Sequence, residues 1–269
     1  MIDVCNIFKK LYWLMSVQFG IDLRKTFRAF LGFPRYIRDL FRFRCNYRGR
    51  LNLLPCLHDW TEEDEATKNE YFWQDLLVAR WIFKANPVKH VDIGSRVDGF
   101  VAHVASFREI EVFDIRPITT PIPGIIFRQA DLMKPVEGMA GYCDSLSCLH
   151  ALEHFGLGRY GDPLDPKGFE RGLANMASLL KTEGTFYLSV PIGSQRVEFN
   201  AHRVFDPRVI FNLAIENSLK LSALTLIRDG WRLEEVLAPE ERFSDLAGER
   251  YALGVFTFKK FSKAISQPS

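Results

Sequence analysis

A ten-residue segment at positions 91–100, VDIGSRVDGF, has the composition of a turn that seats a nucleotide-type cofactor. An apolar strand runs into an Asp-x-Gly turn at Asp92 and Gly94, and glycine permits both a positive φ and a close approach of the backbone to a ligand. The next apolar run closes at Asp114, 22 residues beyond Asp92. A carboxylate at that distance can accept hydrogen bonds from a ribose diol. The spacing therefore indicates a site for a ribose-containing cofactor.

Polar residues also follow the later strand-like runs. Asp131 closes the third run, and an LEH triplet at 152–154 follows the fourth. A glycine-rich polar loop covers residues 154–166, and a second polar loop covers 200–203 beyond the fifth run. Ligands of open α/β sheets bind at the carboxyl ends of the strands. We therefore expect both loops to face the ligand edge, with a plain connector as the alternative for each.

The elements that must position these residues alternate between strand and helix. A helix from Thr61 through Ile82 precedes the first strand, and a chain that alternates strands with helices afterwards predicts a parallel sheet with helices on both faces. The predicted strands are 88–93, 109–113, 125–128, 145–149, 185–190, 220–228 and 251–259, and the predicted helices that follow the first strand are 100–106, 168–180 and 207–217.

This order of motifs and elements resembles the class I S-adenosylmethionine-dependent methyltransferases. The resemblance implies a Rossmann-like α/β fold with a seven-stranded, mainly parallel sheet whose last strand runs antiparallel. Segments 94–100, 156–163 and 200–203 together also look like an uncharacterised methyltransferase-like family known only as a domain of unknown function, over residues 55–260. That second resemblance implies no substrate.

S-adenosyl-L-methionine is the cofactor that the resemblance implies. The resemblance implies that Asp114 accepts hydrogen bonds from the ribose hydroxyls and Asp131 from the adenine amino group. The residue types alone also allow a loop carboxylate or a helix N-cap at either position. A plain strand-to-helix turn is the corresponding alternative for the glycines. The cofactor-binding residues expected from the resemblance are Asp92, Gly94, Ser95, Gly99, Asp114, Asp131 and Leu149.

One residue departs from the pattern of that family. Arg96 stands where the glycine-rich turn usually has its middle glycine, so its side chain either narrows the cofactor pocket or turns outward. This departure motivates an alternative function, a catalytically silent methyltransferase-like binding or scaffold protein. A third alternative, an NAD-dependent oxidoreductase, lacks a convincing Gly-x-Gly-x-x-Gly.

Methyl transfer is an in-line displacement, for which a protein supplies positioning and, with a hydroxyl acceptor, a base near neutral pH. Histidine suits that role, so His154 and His202 are the catalytic candidates, each with a structural histidine as the alternative. The favoured function is O-methylation of a small or glycan-type acceptor, and no spacing indicates a metal site. The expected substrate-binding residues are Arg159, Tyr160, Asp162 and Arg203.

Charge divides the chain into a basic arm and an acidic body. Residues 1–50 hold 11 Lys and Arg against three acidic residues, and they interleave aromatic residues with arginine. Three interpretations are open: a helical extension packed on the domain, a peripheral membrane contact, and a nucleic-acid arm, the last disfavoured because basic charge alone is unspecific. We predict a basic aromatic extension at 1–54, a methyltransferase-like domain at 55–262 and a tail at 263–269.

Cysteine spacing and hydropathy bear on the compartment. The five cysteines show no Cys-x-x-Cys pairing and no regular framework, so a reducing compartment is expected. The apolar stretch at 11–17 is far shorter than the roughly 20 residues of a membrane span. These features predict a cytoplasmic protein, peripheral at the membrane if the basic arm binds there.

Overall fold

The computed structural model describes residues 4–58, 67–228 and 232–262. The chain divides into two compact units, Met1–Glu65 and Ala66–Ser269. The division falls later in the chain than the boundary predicted after residue 54, and the predicted tail at 263–269 lies outside the described residues. Within the described ranges, no helix combines the length and the apolar character that crossing a membrane requires.

The first unit is helical. Helix α1 spans Val4–Trp13 and continues as a π-helical turn at Leu14–Gln18, and helix α2 spans Leu23–Asn46. Asp22 caps helix α2, because its carboxylate accepts hydrogen bonds from the backbone N–H groups of Arg24 and Lys25. The same carboxylate accepts a 2.6 Å hydrogen bond from the Tyr12 hydroxyl, which ties α1 to the start of α2.

The strands and helices of the second unit follow one another largely in the predicted order, in which the second, third and fourth strands have no helix between them. Its helices are α3 (Glu70–Ala85), α4 (Ala102–Ala105), α5 (Gly168–Leu179), α6 (Pro207–Glu216) and α7 (Pro239–Gly248). Its strands are β1 (His90–Ile93), β2 (Ile110–Asp114), β3 (Ile125–Gln129), β4 (Cys143–Leu149), β5 (Leu180–Ile192), β6 (Arg196–Glu198), β7 (His202–Val204), β8 (Leu219–Arg228), β9 (Arg232–Glu235) and β10 (Ala252–Lys260).

The main sheet confirms the predicted Rossmann-like architecture. In the described part of the chain its strand order is β3-β2-β1-β4-β5-β10-β8-β9. The strands from β3 to β5 in that order are parallel, and β10 runs antiparallel to both β5 and β8. The predicted antiparallel last strand is therefore present. Because the strand order reverses between β1 and β4, a crevice is expected at their carboxyl ends.

The strand count differs from the prediction. Within the described residues the sheet has eight strands instead of seven, because β9 pairs antiparallel with β8 at the edge. Its sequence, RLEE, is mostly charged and carries no strand signal. A separate two-stranded sheet of β6 and β7 was likewise not predicted, and it holds the 200–203 loop at its turn.

Helices cover both faces of the sheet, as predicted. On one face Val78 and Ile82 of α3 and Val104 of α4 pack in a buried cluster with strand residues such as Val112. On the other face α5, α6 and α7 pack on a second cluster that includes Phe113, the neighbour of Val112. Successive residues of a strand point to opposite faces, so an apolar run is buried on both sides of a parallel sheet.

Two predicted helices have different bounds. Helix α3 is described from Glu70, where Asn69 caps it by accepting a hydrogen bond from the Phe72 N–H group, and the predicted start at Thr61 lies outside the described residues. The helix predicted at 100–106 is a π-helical turn, Val97–Val101, followed by the short α4. Gly99 departs from helical backbone angles inside that turn, which interrupts regular helix there.

A buried polar network joins β1 to β4 beneath the crevice. The imidazole of His90 lies 2.8 Å from the Ser145 hydroxyl and 3.1 Å from the Ser147 hydroxyl. The Ser147 hydroxyl donates a 2.5 Å hydrogen bond to Asp92, which also accepts from the backbone and hydroxyl of Ser95. Burial lowers the pKa of His90 to about 3 and raises the pKa of Asp92 to about 7.

These two groups predict opposite pH dependences of stability. Between about pH 4 and pH 6.5 the unfolded chain carries its proton on His90 and the folded chain carries it on Asp92, so their contributions cancel. In Asp92→Asn only His90 remains, and stability should rise with pH by up to about 1.4 kcal/mol per unit. In His90→Gln only Asp92 remains, and stability should fall as the pH rises.

Urea denaturation of the wild type and both variants at about pH 5 and about pH 6 measures these slopes. The wild type supplies the baseline from all other groups. Equal slopes for the two variants would contradict the assigned protonation states.

Candidate functional site

A cavity of about 330 Å³ lies at the carboxyl ends of β1, β2 and β4, where the crevice is expected. Residues from α3, from the ends of these strands and from the segments that follow β1, β2, β3 and β4 line it. They are Tyr71, Gln74, Asp75, Ile93, Gly94, Arg96, Phe113, Asp114, Ile115, Arg116, Ala130, Asp131, Leu132, Met133, Leu149, His150, Ala151, His154, Phe155, Arg159, Tyr160 and Asp162.

The backbone of the turn after β1 requires glycine at position 94 but accommodates arginine at position 96. Gly94 has φ +69°, a conformation that favours glycine. Arg96 has φ −67° and ψ 128°, which any residue adopts without strain. Its guanidinium pairs with the exposed Asp98 at 2.7 Å and lies over the Tyr71 ring. Arg96 therefore sits at the exposed rim of the cavity.

The carboxylate at the end of β2 already has a partner. Asp114 accepts hydrogen bonds from the backbone N–H group of Arg116 at 2.8 Å and from its Nε and Nη2 atoms at 3.1 and 2.7 Å. The Arg116 guanidinium also lies 4.6 Å from the centroid of the Tyr160 ring. A ribose diol that binds Asp114 must therefore compete for its carboxylate with Arg116, whose side chain is half exposed.

Asp131 lies in the loop after β3 and combines two roles. Its carboxylate lines the cavity and also accepts a 3.0 Å hydrogen bond from the Met133 N–H group. That local bond is the pattern of a turn-forming aspartate. Asp131 therefore stabilises its own loop, which is the alternative that its residue type allowed, and it also lies at the cavity wall.

Helix α3 supplies polar groups to the opposite wall. Gln74 donates a 2.9 Å hydrogen bond to Asp75, and both side chains are buried. A Cβ atom at Gly99 would overlap Oδ2 of Asp75, so the glycine lets helix and turn approach closely. Burial raises the pKa of Asp75.

A buried charge cluster lies at the end of β4. His150, with φ +53°, places its imidazole 2.8 Å from Glu153 and 3.3 Å from Glu70. Although burial opposes charge, these carboxylates raise the pKa of His150 to about 10, and its proximity lowers the pKa of both partners. Tyr71 stacks on the imidazole with ring centroids 4.5 Å apart. His150 is therefore an imidazolium at neutral pH.

His154 has a different environment. Its Nδ1 atom lies 2.6 Å from the Ala201 carbonyl oxygen, so Nδ1 carries the proton and Nε2 keeps its lone pair. Nε2 lies 3.7 Å from Glu153, and the ring packs edge-on against Tyr160. Burial lowers the pKa of His154 despite that carboxylate, so the imidazole is neutral at pH 7.

The loop after β4 is braced from two sides. Asp162 accepts hydrogen bonds from the backbone N–H groups of Gly156, Gly158 and Tyr160 at 2.7 to 3.1 Å. Arg203, on β7, is 3% exposed and donates to the carbonyl oxygens of three residues, Glu153, Phe155 and Pro166. The predicted substrate contact of Arg203 is thus replaced by a structural one, because its buried guanidinium donates to backbone carbonyl oxygens of this loop.

The structure brings together most of the predicted site. The cavity wall includes Gly94, Asp114, Asp131, Leu149, His154, Arg159, Tyr160 and Asp162. It does not include Asp92 and Ser95, which are buried in the network beneath the turn, nor Gly99 and Arg203. His202 begins β7 and also lies outside the wall, although the neighbouring Ala201 contacts both His154 and Arg159.

Sequence reasoning missed several lining residues. Arg116, two residues beyond Asp114, gives no signal of its own, but Gln74 and Asp75 form a polar pair in a helix that is otherwise rich in apolar residues. Such a pair on a buried face is a usable signal, because buried polar groups need partners. His150 directly follows a predicted strand end and offered a similar signal.

Comparisons with known sequences give one partial match. A family described as "Caenorhabditis protein of unknown function, DUF268" matches residues 125–215, about a third of the chain. No curated protein matches the sequence.

Several solved structures share the fold. The 1,6-didemethyltoxoflavin-N1-methyltransferase of Burkholderia thailandensis, solved with S-adenosylhomocysteine, is 16% identical over 74% of this chain and 80% of its own, with a TM-score of 0.50. The [4+2]-cyclase SpnF is 11% identical over 70% and 82%, with a TM-score of 0.51. The YcgJ protein of Bacillus subtilis is 12% identical over 71% and 99%, with a TM-score of 0.50. At such identities the likeness shows the fold alone: the second unit has the class I methyltransferase fold.

The brace of the loop after β4 predicts unequal costs for two glycine substitutions. Gly161→Ala should cost about 1–2 kcal/mol, because φ is +84° but nothing lies within 4 Å of an added Cβ. Gly156→Ala, at φ +78°, should cost about 1–3 kcal/mol more, because its Cβ would overlap the Asp165 carbonyl oxygen. Chemical denaturation measures both, and equal costs would contradict the described packing of the loop.

Proposed function

We propose that the protein transfers a methyl group from S-adenosyl-L-methionine to a hydroxyl group of a small or glycan-type acceptor. One observation carries the proposal: a single cavity at the strand-order reversal is lined by Asp114, Asp131 and the neutral imidazole of His154. The fold alone would not suffice, since a cyclase shares it. These side chains, and not the fold, therefore support methyl transfer.

The cavity residues fit an adenosyl cofactor. Asp114 offers carboxylate oxygens for a ribose diol, and Ile115 and Leu132 add apolar surface for a base. Gly94 lets the backbone approach the ligand. The cofactor would supply an electrophilic methyl group.

His154 is the general base in this proposal. Its proton on Nδ1 is directed to the Ala201 carbonyl oxygen, so Nε2 can accept a proton from an acceptor hydroxyl. Glu153, 3.7 Å from Nε2, stabilises the imidazolium that forms. His150 is unsuited to the role because it already carries its proton at neutral pH.

Polar side chains at the cavity mouth support a hydroxylated acceptor. Arg159 lies over the Tyr160 ring at 5.1 Å and donates a 3.0 Å hydrogen bond to Ala201, so it links the two loops predicted to hold the acceptor. Arginine and tyrosine side chains beside Asp162 offer donors and acceptors for sugar hydroxyls or a phosphate. We assign the acceptor site to this pair of loops, in a cytoplasmic enzyme.

Cofactor binding is tested by thermal unfolding. S-adenosylhomocysteine at 100 times its Kd should stabilise the protein by about 2.7 kcal/mol, because it binds the folded state. Asp114→Asn should reduce the shift, whereas Asp98→Asn, at an exposed carboxylate of the same turn, should keep it. Arg96→Gly should also keep it, because Arg96 lies at the exposed rim. A shift with NAD and none with adenosyl ligands would refute the proposal.

Catalysis is tested by transfer of a labelled methyl group to a panel of glycans and phosphorylated sugars. His154→Ala should lower turnover by roughly 10²- to 10⁴-fold, since a general base contributes that much, while S-adenosylhomocysteine still binds. His202→Ala is the matched control, because its side chain lies outside the cavity wall. A larger loss for His202→Ala would reverse the assignment, and cofactor binding without turnover on any acceptor would favour the catalytically silent alternative.

A further inference from the structure

Helix α2 exposes an apolar stripe, a row of large apolar side chains on one side between Leu23 and Phe41. Leu23, Phe27, Phe30 and Phe41 follow one another at intervals of four, three and eleven residues, which places them on one side of a helix. Their side chains are 65%, 65%, 75% and 68% exposed. Soluble proteins seldom expose several large apolar side chains in one row unless the row binds something.

A second row on α2 is basic. Arg24, Arg28, Arg35 and Arg42 follow at intervals of four, seven and seven residues, and each is exposed. With 3.6 residues per turn, this row lies roughly a third of a turn from the apolar stripe. Seven basic residues stand in the helix against one acidic residue, Asp39.

We propose that α2 lies on the surface of an anionic lipid bilayer, with the apolar stripe in the headgroup boundary and the basic row against the lipid phosphates. A helix that carries a basic row beside an aromatic stripe can place both against such a surface at once. Nucleic acid would pair with the arginines but would leave the phenylalanines exposed to water. An apolar protein groove would cover the phenylalanines but would leave the seven positive charges without an anionic partner.

Sedimentation of the full-length protein with vesicles tests the proposal. It should bind phosphatidylcholine vesicles containing phosphatidylserine, bind pure phosphatidylcholine much more weakly, and lose binding as salt rises. Replacing Arg24, Arg28 and Arg42 together by Gln should weaken binding on the order of 100-fold, because each basic residue near the surface attracts anionic lipid. Replacing Phe27, Phe30 and Phe41 together by Ser should abolish vesicle binding, because the apolar contact with the bilayer is then lost.

The matched control changes charge equally elsewhere. Arg80, Arg232 and Arg250 are exposed residues of the second unit, and replacing all three by Gln should leave vesicle binding unchanged. Circular dichroism of each variant checks that the fold is kept. Equal losses for both arginine triples, no binding to anionic vesicles, or tighter binding to an RNA homopolymer would each overturn the proposal. So would a stable dimer that the Phe-to-Ser triple dissociates, since a second copy would then cover the stripe.

Discussion

The rest of the site depends on the buried Asp92 carboxyl between β1 and β4. It accepts hydrogen bonds from both the backbone and the hydroxyl of Ser95, which fixes the turn after β1, and from Ser147 of β4. The Ser95 hydroxyl in turn accepts a hydrogen bond from the Leu149 N–H group at the end of β4. A pKa of about 7 lets the group stay protonated over much of the acidic range, so it serves as a neutral connector. The positions of Gly94 and the loop after β4 follow from it.

The sequence predicted the parts of this arrangement that are local. Each of Gly94, Asp114 and Asp131 follows a strand directly, so the parallel strands alone bring them to one edge of the sheet. The strand pattern itself was readable because parallel strands are buried on both faces and their apolar runs are nearly continuous. The charged edge strand β9 was not, since exposed edges carry no such run.

Contacts between distant segments could not be predicted from the sequence. The pairing of His150 with Glu70 joins β4 to a helix 80 residues earlier, and nothing in either segment encodes the other. The same holds for Arg203, whose residue type and loop position suggested a ligand contact. Only the fold shows that its guanidinium reaches three backbone carbonyls, which a buried loop must satisfy. Some polar residues near a site face the ligand, and others hold the surrounding backbone in place. The residue type alone does not distinguish these two roles.

The pairing of Asp114 with Arg116 sets the balance at the ribose position. A carboxylate offers about four lone-pair positions, and Arg116 fills three of them, two on Oδ1 and one on Oδ2. One hydroxyl can join without disturbing the arginine, whereas a diol that engages both oxygens displaces a guanidinium bond. Because the Arg116 side chain is 47% exposed, water and the nearby face of Tyr160 can receive it. Asp114 itself is only 9% exposed, so the diol hydroxyl must replace the hydrogen bond that the guanidinium gives up if the buried carboxylate is to stay satisfied.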